Sequence, residues 1–136
     1  MIVVDTSAII AVLYREPGFD RFVRAIAEAE SCFLSAVGYF EAAMVLIGRS
    51  EPEAAIELDS FVERSAIELV PFDDEQAKQA RDAFIRFGKG RHPARLNFGD
   101  CVSYALAQVR GLPLLYKGED FAKTDVISAV RRNITR

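Results

Sequence analysis

The sequence predicts an α/β domain with a mainly parallel sheet covered by helices, and three observations carry that reading. Short apolar runs such as Ile-Val-Val at 2–4 and Cys-Phe-Leu at 32–34 alternate with longer amphipathic stretches along the chain. Helix-start side chains, Asp5, Ser35 and Asp73, follow those runs directly, as strand-to-helix crossovers require. Apolar residues are 51% and charged residues 27% of 136, enough for a packed core and too balanced for a disordered or fibrous chain. That length predicts one domain, 1–136, without repeats, low-complexity tracts or a linker.

Residues 2–4 read as a buried strand, and Asp5, Thr6 and Ser7 cap a helix to about Tyr14 that stops before Pro17 and Gly18. Phe19, Phe22, Val23 and Ile26 recur at helical spacing and form the apolar stripe of a second helix. Cys32, Phe33 and Leu34 make the second strand, and Ser35 caps a helix over 37–49. Pro52 sits in the first turn of the next helix, whose core face is Ile56, Leu58, Phe61 and Val62. Residues 67–72 form a third strand, after which Asp73, Asp74 and Glu75 place three acids at the positive end of a helix reaching Phe87. Residues 88–98 are a loop. Gly99 and Asp100 open a helix to Arg110 that Gly111 terminates, 112–116 is a fourth strand, and 126–130 reads as a last short one.

No apolar run approaches the roughly 18 residues that span a bilayer, since even 42–47 is bounded by Glu41 and Arg49. The N-terminal residues lack the basic region of a signal peptide and carry Asp5 where one is apolar, so a cytoplasmic protein with no membrane association is expected. Cys32 and Cys101 have neither CxxC spacing nor a paired His, which predicts reduced, packed thiols. Net charge is −3 but unevenly spread: residues 1–70 hold 5 Lys/Arg against 12 Asp/Glu, a net of −7, and residues 71–136 hold 12 against 8, a net of +4. The stretch 86–99 contains Arg86, Lys89, Arg91 and Arg95 and no acid, so a polyanion can be met through a local patch.

Sites in parallel sheets form beyond the carboxyl ends of the strands, and acids gather there. Asp5 ends the first strand, Asp100 lies in a first helical turn, and Asp120 follows the fourth strand, with Glu119 and Asp125 as neighbours that spacing alone does not separate from it. Glu41 stands inside the apolar stretch 40–47, where a carboxylate must reach solvent or be paired. Each acid also has a structural explanation. Asp5 is a helix cap, Asp100 a dipole partner, Glu41 part of an outward polar stripe with Gly38 and Arg49, and Asp120 a turn residue. Together they are better explained by a hard divalent cation, which removes their repulsion; Mg²⁺, with Mn²⁺ as the alternative, fits a chain with no His or Cys cluster.

Four blocks carry a family resemblance: Val3-Val4-Asp5-Thr6-Ser7-Ala8; residues 35–41, ending on Glu41; Leu96-Asn97-Phe98-Gly99-Asp100-Cys101; and residues 114–121, with Asp120, followed by Thr124-Asp125. In this order, over nearly the whole chain, they resemble the PIN-domain ribonucleases, specifically the VapC-type toxins of bacterial type II toxin–antitoxin pairs. The resemblance implies a three-layer α/β/α fold and an acidic metal centre of Asp5, Glu41, Asp100 and Asp120 supported by Thr6. It also implies magnesium-dependent cleavage of RNA, a homodimer, and inhibition by a cognate antitoxin protein.

The chemistry agrees with that resemblance, because a carboxylate-held Mg²⁺ supplies both a water nucleophile at neutral pH and compensation for charge on the phosphoryl oxygens. Asp5 and Asp100, on rigid supports, are the preferred direct ligands, with Asp120 and Glu41 completing the shell directly or through water. Lys89 and Arg91 are the expected substrate-phosphate contacts. Tyr39 and Tyr104 read chiefly as core or helix surface, with base stacking as the alternative, and the lone His92 reads as a surface residue. Ile10, Leu13, Phe19 and Phe22 are expected to expose an apolar face for an amphipathic antitoxin segment, whose Arg or Lys would enter the acidic site. Lys117 stands where a response-regulator receiver places a Lys, but the paired acids before the first helix are missing. A haloacid-dehalogenase-type phosphatase would need Asp where Ser7 stands, and no GxxxxGK[ST] motif occurs. A non-catalytic PIN-like module that docks a basic partner remains an alternative at this level.

Overall fold

Residues 1–130 are described by the computed structural model, and the basic Arg131, Arg132 and Arg136 lie outside the described residues. Strands β1 (Ile2–Val4), β2 (Cys32–Ser35), β3 (Ile67–Val70) and β4 (Leu114–Leu115) form one sheet in the order β3-β2-β1-β4, every pair parallel. Helices α1 (Thr6–Leu13), α2 (Phe19–Glu28), α3 (Ala36–Arg49) and α4 (Ala54–Arg64) connect β1 to β2 and β2 to β3, and α5 (Asp74–Phe87) and α6 (Phe98–Arg110) connect β3 to β4.

Strand alternation divides the apolar residues between two cores. Ile2, Val4, Cys32, Leu34 and Ile67 pack with side chains of α1 to α4, including Ile9, Phe22, Leu46 and Leu58. Val3, Phe33, Val70 and Leu114 point to the other face and pack with Phe87 of α5 and Tyr104 and Leu106 of α6. The expected three-layer α/β/α arrangement follows. Among the described residues, no helix is long and apolar enough to cross a membrane.

Differences from the sequence expectation have local causes. The third strand stops at Val70 because Pro71 has no N–H for the ladder, and its carbonyl instead accepts from the Gln76 side chain at 2.9 Å. Pro113 likewise sets the start of β4 at Leu114, and the strand is two residues long. At 126–130 there is one bridge, Leu114 to Ser128, and no further strand, since the Ser128 hydroxyl donates to the Val130 carbonyl and turns the chain. Pro52 lies in a turn before α4 and not in its first turn. On α4, Leu58 is fully buried and Phe61 nearly so, whereas Ile56 is 69% exposed, so the predicted core face was one residue too wide. Accordingly, Leu58→Ala is expected to lower stability by about 3 kcal/mol and Ile56→Ala by less than about 0.5 kcal/mol in denaturant melts.

The apolar face expected on the first two helices is also not free. Ile10 and Phe22 are buried in the first core, with Leu13 and Phe19 partly covered, because α1 and α2 pack their stripes inward. The large exposed apolar side chains include Phe40 and Met44 on α3 and Phe98 at the start of α6.

Candidate active site

Connections leaving β1 run to β2 and β3 on one side, whereas β4 lies on its other side, so the chain order reverses between β1 and β4. In a parallel sheet the carboxyl edge at such a point leaves a crevice. Asp5, directly after β1, caps α1 there and is 97% buried, at 3% exposure. Its Oδ2 accepts from the Ser7 N–H at 3.0 Å and its Oδ1 from the Ser103 hydroxyl at 2.5 Å, which leaves a lone pair on each oxygen. Thr6 donates to the Gly38 carbonyl at 3.0 Å and so ties α1 to α3, one turn before Glu41.

Asp100 reaches the same edge from α6. Asn97 Oδ1 accepts from the Asp100 N–H at 2.9 Å, and Asp100 Oδ2 accepts from the Asn97 N–H at 3.0 Å. This reciprocal capping box starts α6 at Phe98 and fixes the Asp100 carboxylate. Burial pushes Asp100 up to about 6, the Asn97 hydrogen bond opposing, and the charges of Asp5, Asp120 and Glu41 raise it further. Glu41 is also raised, by burial first, against the Thr6 hydroxyl and with the Asp5 charge adding. The Glu41 carboxylate lies against Gly99, where an added Cβ would stand 2.6 Å from its carboxyl carbon.

The acids near the chain's end are separated by their partners. Asp125 accepts from the Tyr104 hydroxyl at 2.5 Å and from Arg86 at 3.2 Å, and these bonds outweigh burial and hold its carboxyl below the usual range. Glu119 lines a different depression, with Arg21 and Tyr116. Asp120, whose side chain makes no capping bond, is the one whose charge is felt at Asp100.

Asp5, Glu41 and Asp100 line an open cleft of about 410 Å³. Sequence reasoning placed Lys89 and Arg91 beside the acids, but the cleft is lined instead by Arg49 and Lys117, and Arg91 Nε donates to the Ile85 carbonyl at 3.2 Å. It also missed Ser103 and Gly99, which touch the acids yet belong to no metal-binding spacing. Tyr104 is core, as its main reading held, and His92 Nδ1 accepts from the Ala94 N–H at 3.0 Å. Cys101, pushed up to about 11 by burial and the Asp100 charge, is a packed thiol and no nucleophile.

The donor set fits a hard cation by its chemistry: carboxylates that repel one another, spare lone pairs on buried Asp5, and no imidazole or thiolate among them. Among the described residues, no three His, Cys, Asp or Glu side chains already stand in a coordinating arrangement.

A family model, PIN domain, matches residues 2–127 of this sequence. The chain belongs to the PIN-domain family. It is 47% identical over 124 residues to Ribonuclease VapC of Mycolicibacterium smegmatis, covering 91% of this chain and 96% of that one, so within the family it falls among the VapC ribonucleases. The solved structure of Mycobacterium tuberculosis VapC20, described as a sarcin–ricin loop cleaving toxin, superposes with a TM-score of 0.77 at 19% identity, covering 96% of this chain and all of that one. A toxin–antitoxin complex from Klebsiella pneumoniae gives 0.69 at 16%, covering 96% and 99%. These last two likenesses concern the fold.

The raised Asp100 of this PIN domain has a measurable consequence. Its folded carboxyl titrates at about 6 against an ordinary 3.8, so between those values the folded state holds more protons than the unfolded one and stability falls as pH rises. Above 6 the penalty is constant, on the order of 2 kcal/mol. In EDTA, the melting-temperature advantage of Asp100→Asn over wild type should widen from pH 4.5 to pH 7. A gap that does not change with pH would place this carboxyl back in the ordinary range.

Proposed function

We propose that this chain is a metal-dependent ribonuclease, the toxin of a type II toxin–antitoxin pair. The observation that carries the reading is the meeting of Asp5, Glu41 and Asp100, with the Asp120 charge, at the carboxyl edge of the sheet in a chain nearly half identical to a VapC ribonuclease.

Asp5 and Asp100 would hold Mg²⁺ or Mn²⁺, with Glu41 and Asp120 completing its surroundings directly or through water. When bound, the ion supplies charge stabilisation at the phosphoryl oxygens and an activated water at neutral pH. The chain's own residues prepare that site. Ser7 and Ser103 orient the Asp5 carboxylate, the Asn97 box orients Asp100, and Thr6 fixes the turn that carries Glu41. Glu41, raised by burial, is suited to take a proton from the attacking water. Lys89 and Arg91 remain an outer, exposed contact for phosphates.

The restraining partner is a cognate antitoxin that puts an Arg or Lys side chain among the acids, pairing with the carboxylates in place of the cation. The exposed Phe40, Met44 and Phe98 support a homodimer, and a cytoplasmic location is part of the same proposal. The deciding experiment is cleavage of total cellular RNA by the purified chain. Cleavage should disappear in EDTA and return with Mg²⁺ or Mn²⁺. Chelator-resistant cleavage would remove the metal from the mechanism, and no cleavage with either ion would leave a non-catalytic docking module.

A further inference from the structure

The cleft has a second chemical character at its other end. Asp5 caps the start of α1 and Glu16 follows its last turn, while on α3 Glu41 and Arg49 are eight residues apart on one face, about 12 Å of helical rise. The cleft therefore extends along both helices from the acids toward Arg49, Glu16 and Lys117. There Glu16 accepts from Lys117 Nζ at 2.8 Å and pairs with Arg49 at 4.0 Å. Lys117 is held at its root as well, its N–H donating to the Ser7 hydroxyl at 3.0 Å, one residue from the acids' Thr6. The Arg49 guanidinium lies 5.3 Å from the centre of the Tyr14 ring.

Two cations from different elements thus converge on one carboxylate in an open cleft. An exposed pair of this kind adds little to stability, about 0 to 1 kcal/mol, and is readily exchanged for another anion. A phosphate presents the same oxygen chemistry with more charge and matches the forked Arg donors.

We infer that Arg49 and Lys117 form a docking subsite for a nucleic-acid backbone phosphate next to the scissile one, and that Glu16 occupies this subsite until the strand displaces it. The inference rests on the ribonuclease reading for its ligand. Glu16 acts as an internal competitor that weakens backbone binding without touching the acids, while Arg49 and Lys117 set the register of the strand along the cleft.

The test is binding of an RNA oligonucleotide to the full chain in EDTA, where the metal-dependent cleavage does not proceed, at several salt concentrations, with cleavage of RNA in Mg²⁺ measured beside it. Arg49→Ala and Lys117→Ala should each weaken binding about three- to tenfold, and the double variant should flatten the salt slope by about 0.7, the share of the one phosphate they hold on a single strand. Glu16→Gln should tighten binding about three- to tenfold. A merely structural Glu16 would instead lower the melting temperature and leave affinity unchanged, and that result, or an unchanged slope in the double variant, overturns the subsite. Lys117→Arg should retain the slope, separating lost charge from lost packing. If wild type binds the oligonucleotide with these dependences but cleaves nothing, the ribonuclease reading fails and the subsite stands; if wild type cleaves and the variants bind alike, only the subsite fails.

Discussion

Asp5→Asn and Asp100→Asn are each expected to reduce RNA cleavage by at least about a hundredfold while leaving the chain folded. The magnitude follows from comparison with outer-shell partners of metal sites, whose loss alone lowers metal affinity or activity about 10- to 100-fold, so losing a direct carboxylate costs at least the upper end of that range. Folding survives because the amide reproduces the hydrogen bonds. At position 5 an Asn oxygen can accept from the Ser7 N–H while its NH₂ donates to the Ser103 hydroxyl. At position 100 the Asn oxygen keeps the bond from the Asn97 N–H and with it the cap of α6. Removing a charge that burial disfavours, with relief of repulsion adding to it, should then make metal-free Asp100→Asn more stable than wild type by about 7 °C near pH 7. Circular dichroism melts in EDTA and RNA cleavage in Mg²⁺ measure the two quantities. A variant cleaving within tenfold of wild type would remove that carboxylate from the site, and one that unfolds would show that its role is structural.

The acids were legible in the sequence because each sits at a position with its own local signal. Asp5 ends an apolar run, Asp100 opens a helix, and Glu41 interrupts an apolar stretch where a carboxylate must reach solvent or be paired. The layered fold was legible for the same reason, since strand and helix periods alternate cleanly. What supports the acids was not. Ser103 reaches Asp5 across 98 residues, and Arg49 meets Glu16 only because α3 lies along α1. Such contacts depend on helix placement, about which spacing is silent. The basic loop needed the fold as well: Lys89 and Arg91 stand close to Asp100 in sequence, while Arg91 donates to the end of α5 and the cleft itself is lined by Arg49 and Lys117. The loop is closed on itself by the Gly88 to Leu96 bridge, which spacing along the chain does not show.

Gly99→Ala should lower cleavage about tenfold or more while keeping or raising the melting temperature, a combination that separates site geometry from folding. Gly99 lies in the first turn of α6, where Ala is the better helix former by up to about 1 kcal/mol. Its new Cβ, however, would stand 2.6 Å from the carboxyl carbon of Glu41, closer than non-bonded carbons approach. The neighbour that must yield is the end of a flexible side chain and not backbone, so the fold bears little strain and Glu41 swings away from Asp5 and Asp100. A displacement of about 1 Å in a catalytic group is enough to cost about a hundredfold when the group acts in the transition state. Glu41→Ala removes the same carboxylate by another route, so the double variant Gly99→Ala/Glu41→Ala should be no slower than Glu41→Ala alone. Additive losses in that pair would mean that Gly99 serves something other than the placement of Glu41, most directly the approach of the substrate strand to the first turn of α6. Full activity in Gly99→Ala would mean that cleavage does not depend on where the Glu41 carboxylate stands, and its assignment as the group that takes the proton would fall.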